Sequence, residues 1–155
     1  MNLEQHLEIA AKFARSIFLD KKEMLPMVHA IDRHGNHHVL VVPQIGGTDD
    51  EKNAVAVALR KNFAELDVRQ YVMILEAWTL RLPPDSDLTN LPRPRDHADR
   101  MEAITFQAEA KHDTICGEMI ITRDAKGVPS LSDLTTWRSG VIHGRLTGLL
   151  QTPNN

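Results

Sequence analysis

The chain has 155 residues, 42% of them apolar and 25% charged, with a net charge of −3. That length supports a hydrophobic core without staples, and its mixed, slightly acidic charge excludes the basic field that nucleic-acid binding calls for. The single cysteine, Cys116, excludes an internal disulfide framework and suits a reducing, cytoplasmic compartment, while Glu4, Glu8, Lys12 and Arg15 interrupt the opening residues, so neither a signal peptide nor a membrane span is read there.

In chain order, Leu3, Leu7, Ala10, Ala14 and Ile17 recur at three- and four-residue steps and predict an amphipathic helix. Asn2 with Gln5 is a variant capping box, and Lys21 and Lys22 suit the negative end of the helix dipole. Two apolar runs follow, Leu25 to Ile31 and Val39 to Val42. The residues Asp32-Arg33-His34-Gly35-Asn36 between them predict a hairpin, because Gly35 and Asn36 tolerate positive φ. Pro26 marks the first run as an edge strand. Thr48 with Glu51 starts a second helix, whose buried stripe is Val55, Ala58, Leu59, Phe63 and Leu66.

Val68 to Leu80 reads as a strand apolar on both faces. Tyr71, Met73, Leu75 and Ala77 point one way and Val72, Ile74, Trp78 and Leu80 the other, which predicts a central position in the sheet. Residues 82–100 hold Pro83, Pro84, Pro92 and Pro94 and predict a long loop. Met101 to Ala110 and Thr114 to Thr122 are two further strands, Asp124 to Gly127 is a turn, and Ser130-Leu131-Ser132-Asp133 looks like a helix start. The order predicts a single α+β domain with a five-stranded, mostly antiparallel sheet, helices on one face, and a tail after residue 150.

Glu76-Ala77-Trp78 closing a strand, Pro92-Arg93-Pro94-Arg95 in the break, Arg100-Met101-Glu102-Ala103 opening the next strand and Ile121-Thr122-Arg123-Asp124 ending the last form a further pattern. Over about residues 70–124 the chain thereby resembles a loose group of short bacterial and phage-borne proteins with no known activity. The resemblance implies a fold and a mobile-element origin, and no chemistry.

Glu76 shares a strand face with Val72, Ile74 and Trp78, so partial desolvation is expected to raise its pKa and suit it to general acid or base work. The competing reading is an ion pair with Arg81, Arg100 or Arg123 at the sheet edge, or simple exposure at a strand end. Trp78, Arg93, Arg95, Arg100 and Arg123 are the candidate binding residues, arginine being suited to a carboxylate or phosphate. His29, His34, His37 and His38 cluster in sequence, but His37 and His38 must point to opposite faces, and surface histidines rather than a metal site are expected. Cys116 reads as inert. No phosphate-binding loop or catalytic motif is present, and no metal or cofactor is expected. Gly140, Gly144 and Gly148 recur every four residues; on a helix they would form a bare stripe for a close contact, within the fold or between two copies. The alternative is that this segment is not helical. These observations favour a non-catalytic binding or accessory protein with a protein partner, a homodimer included. A small enzyme using Glu76 on a polar metabolite is the alternative.

Overall fold

A computed structural model describes residues 1–42, 48–79, 98–138 and 148–150. The first helix, α1, spans Leu3–Lys21. Its start follows from the expected capping box: the Asn2 side chain accepts from the Gln5 N–H at 2.8 Å, and the Gln5 side chain accepts from the Asn2 N–H at 3.0 Å. Lys22, in the left-handed region at φ 64°, closes it by donating its N–H to the Phe18 carbonyl at 2.7 Å. The strands β1 (Met27–Asp32) and β2 (His37–Val41) form the predicted hairpin. Asp32 shapes the turn, its Oδ1 accepting from the N–H groups of His34 and Asn36 while Gly35 takes φ +83°.

The second helix, α2, covers Asp49–Leu66, with the Thr48 hydroxyl accepting from the Glu51 N–H. The remaining strands are β3 (Val68–Thr79), β4 (Met101–Ala110), β5 (Asp113–Arg123), β6 (Pro129–Leu131) and β7 (Thr135–Trp137). All described pairings are antiparallel, in the order β2-β1-β3-β4-β5-β6, with β7 also pairing β5. The α+β class, the antiparallel sheet and the central place of β3 are as expected.

Four details differ from the sequence expectation. The helices lie on opposite faces of the sheet rather than on one. Leu7, Ala10, Ala14 and Phe18 of α1 pack with Val72 and Ile74, whereas Leu59 and Phe63 of α2 pack with Tyr71 and Met73. A strand apolar on both faces needs cover on both, and a single layer of helices cannot supply it. The edge strand is β2, not the Pro26-led run: β1 is buried along its whole length, and Pro26 precedes it, lending only its carbonyl to the Val42 N–H at 2.8 Å. Residues 129–131 and 135–137 form short strands where a helix start was expected. Arg15 of α1 donates to the carbonyls of Leu131 and Ser132, and the Ser132 N–H donates to the Ile120 carbonyl, so the segment is held along β5 instead of coiling. Finally, Ala58 is exposed; α2 buries only Ala56, Leu59 and Phe63.

Phe63 is therefore the main anchor of α2, its ring 4.8 Å from that of Tyr71. Phe63→Ala is expected to cost about 3–5 kcal/mol in urea unfolding, as a large-to-small core change does. Val57→Ala, on the exposed side of the same helix, should change stability by less than about 0.5 kcal/mol.

Candidate functional site

The antiparallel register brings several of the sequence-selected residues to one end of the sheet. Trp78 faces Glu102, which in turn faces Ile121. The Arg100 guanidinium lies 4.8 Å from the centre of the Trp78 ring, a cation–π contact on an exposed indole. Arg123 grips Glu102 through Nε at 2.9 Å and Nη2 at 3.3 Å. Glu102, and more weakly Glu76, hold the Arg123 guanidinium above its ordinary value. Glu76 itself is exposed and accepts the Met24 N–H at 3.1 Å, so it lacks the desolvation that its strand neighbours suggest. It stands in the last, solvent-facing part of β3, still paired with Ile104 of β4, and this is the competing reading, simple exposure at a strand end. Arg93 and Arg95, like Arg81, Gly140 and Gly144, lie outside the described residues. Gly148 is not helical: it adopts φ +64°, and open space surrounds the position of an added Cβ. The glycine there answers to backbone conformation and not to a close approach.

Gly148 instead belongs to a buried polar network on the α2 face. Tyr71 and Glu109 are cross-strand partners, and the Tyr71 hydroxyl donates to Glu109 Oε2. Gln107 Nε2 donates to Oε1 at 2.9 Å, and the Gly148 N–H reaches both oxygens, at 3.2 and 2.9 Å. Burial and then the Glu109 charge push the Tyr71 phenol well above its usual range. Leu149, next to Gly148, is buried in the α2-side core. Tyr71→Phe removes one donor from this buried carboxylate and is expected to cost about 1–3 kcal/mol, measured by urea unfolding at neutral pH.

The histidines divide differently from the sequence expectation. His38 points to the α2 face, its Nε2 2.9 Å from Asp32 Oδ2. That contact, with the bonds from Asn36 and His34, holds the Asp32 carboxyl well below its usual range. His29 is buried, not on the surface: Met27, His29 and Ile31 face α1, and α1 covers this face. There His29 meets two other rings. His6 of α1 sits edge-on at 4.9 Å between centroids, and His37 of β2 lies with Nδ1 3.0 Å from His29 Nε2. Phe13 stacks on the His29 ring at 6.2 Å, and Gln70 bonds His6 Nδ1 at 3.0 Å. Nε2 of His6 and Nδ1 of His29 are buried without a hydrogen-bond partner among the described residues. No group of three or more ligating side chains among those residues is disposed to hold a metal. Sequence reading missed His6 because it counted only apolar positions. The signal was its spacing, three after Leu3 and four before Ala10, on the buried stripe.

Burial, reinforced by His29 and His37, lowers the His6 pKa to about 4, and His29 is lowered by burial and His37. An unfolded histidine titrates near 6.5, so between the two values the unfolded chain holds the extra proton. Stability contributed by neutral His6 is thus complete above about pH 6.5 and is lost as the pH falls toward about 4. Over that interval it should account for up to about 3 kcal/mol. Urea unfolding at a series of pH values should show a shallower acid slope in His6→Leu than in the parent chain. Equal slopes would contradict a buried neutral His6.

The third feature is an apolar groove of about 530 Å3 between β2 and α2. Val39, Leu40 and Val41 form one side; Ala54, Val55, Ala58 and Leu59 form the other, with Asn62 the one amide among them. It exists because α2 leans on β1 and β3 through Ala56, Leu59 and Phe63 and leaves its Ala54–Ala58 flank standing off the edge strand. Among the described residues β2 pairs with β1 alone, so no described strand takes up its outer edge beside the groove.

These features define an α+β protein with an open apolar edge. In comparisons with known proteins, no family profile, curated protein or solved structure matches the chain.

Proposed function

We propose that this is a non-catalytic binding protein that takes up an extended, apolar segment of a partner polypeptide as an additional strand beside β2. The observation that carries the reading is the groove between β2 and α2, continuous with the edge of β2 that no described strand pairs. A strand laid along that edge gains main-chain hydrogen bonds, and its alternate side chains meet two apolar surfaces. One set faces Val39 and Val41, which are 47% and 60% exposed; the other faces the α2 flank. Burying one valine-sized side chain there contributes about 1.5–3 kcal/mol. Residues 37–41 contain no lysine, proline or carboxylate of the kind that blunts an edge strand against pairing. The enzyme alternative rests on a desolvated Glu76, and an exposed Glu76 does not favour it.

The test is titration of the isotope-labelled protein with a short acetylated peptide of alternating valine and threonine, followed by amide chemical shifts. Shifts confined to β2 and the facing side of α2, weakened about tenfold or more by Val39→Lys, are the expected result, since a lysine there removes apolar contact worth at least one decade. Shifts elsewhere, or none, would overturn the reading. Light scattering on the same samples separates the homodimer. A mass of two chains that Val39→Lys reduces to one assigns the edge to a second copy in place of a separate partner.

A further inference from the structure

From the stacking of His6, His29 and His37 we infer that the outer strand of the hairpin is a pH-sensitive gate for strand addition at β2: docked on β1 at neutral pH, where its edge accepts a strand, and released in mild acid, where it does not. The inference rests on the binding role proposed for that edge and adds its regulation.

The three rings connect three elements. His6 comes from α1, His29 from β1, and His37 from β2, the strand at the edge of the described sheet. The contact between His29 Nε2 and His37 Nδ1 at 3.0 Å needs one proton shared between two nitrogens. In the neutral state His29 serves best as donor, because its buried Nδ1 is then left as an unpaired acceptor and not as an unpaired N–H. Protonating the exposed His37 reverses the bond: His37 Nδ1–H becomes the donor, and His29 must carry its own proton on the buried Nδ1. A further proton on His29 turns both facing nitrogens into donors, and the bond is lost. A proton on His6, buried edge-on against His29, places a second cation in the same dry layer.

Among the described residues no carboxylate contacts the three rings to offset these charges. The side chains around the stack are Phe13 from α1 and Gln70 from β3, both uncharged. Glu4 of α1 and Asp113 of β5 are both engaged by Arg138, and Asp32 pairs with His38 on the opposite face of the hairpin. At the hairpin end Arg33 and Arg69 share Asp67. His6 also closes the first turn of α1, its N–H bonded to the Asn2 carbonyl, where the helix dipole disfavours a cation. The charge is relieved by letting water reach the rings. The element most easily moved is β2, which has no described strand partner beyond β1 and no fully buried residue along its length.

The experiment is an NMR pH titration of the intact protein, without peptide, from about pH 7.5 to about pH 4.5, the range in which histidines change charge. Ring signals of His29 and the amides of residues 37–41 should move together with a common midpoint, while β4 and β5 amides stay in place. His29→Phe, which keeps a ring against Phe13 and His6 but cannot titrate, should abolish the β2 response. If that variant does not fold, the parent titration still decides. Histidine signals that titrate without movement of β2, or β2 changing only as β4 and β5 unfold, would overturn the gate. The valine–threonine peptide should bind about tenfold more weakly near pH 5 than near pH 7.5, the equivalent of one linked pKa unit. Binding that is equal at both pH values overturns the gate and leaves the binding site standing. Absence of binding at about pH 7.5, with the β2 response intact, overturns the binding role and leaves the hairpin device.

Discussion

Everything in this fold depends on β3 being apolar on both faces. Val72 and Ile74 demand cover on one side, Tyr71 and Met73 on the other, and all four are essentially inaccessible to water. Two helices are available in the described chain, so each must serve a different face. The sheet becomes the middle layer of three, and its outer strands receive whatever cover is left over. The end of the sheet at β2 receives little from the described elements, and the apolar groove there is the remainder after α2 has satisfied β3 and β1.

The two helices meet this demand unequally. α1 presents Ala10, Ala11 and Ala14 together with Leu3, Leu7 and Phe18, so small side chains on its core face let it settle close to the sheet along five turns. α2 holds on through three buried side chains. A well-seated helix can carry a polar group into its interface if the group finds partners, and His6 does so in part, with Gln70 on one nitrogen and a ring face on His29. Its second nitrogen is left without a partner. The loosely seated helix contributes no such group. The tight layer therefore holds the titratable stack, and the loose layer holds the open groove. The β1–β2 hairpin belongs to both, presenting His29 and His37 to one face and Leu40 and His38 to the other. That shared hairpin is the physical basis for coupling protonation to the edge.

Polar groups on the α2 face follow a different rule. Glu109 is buried, yet Tyr71, Gln107 and the Gly148 amide supply donors to both its oxygens. A satisfied carboxylate of this kind organises its surroundings: it holds Gly148 in a left-handed turn and sets Leu149 into the α2-side core. The exposed cluster of Trp78, Arg100, Glu102 and Arg123 is a surface arrangement whose ion pair is worth roughly 0–1 kcal/mol.

The amino-acid sequence alone determined what is encoded within a few consecutive residues. The Asn2–Gln5 capping box, the Asp32–Asn36 turn with Gly35 at positive φ, the Thr48 cap and the alternation along residues 68–79 are all readable because partner and pattern sit within one turn or one strand. From those follow the elements, the antiparallel class and the central position of β3. Tertiary structure decided what lies across layers. An apolar stripe states that a face is buried and not which element buries it, so the two helices read as one layer until the sheet separated them. The choice between a desolvated and an exposed Glu76 stayed open for the same reason, since alternation does not report where cover stops, and Glu76 stands beyond it. His6, His29 and His37 come from three elements, and Tyr71 meets Glu109 across 38 positions. Their proximity is set by register and by helix placement, which are global minima of packing and leave no local mark in the chain.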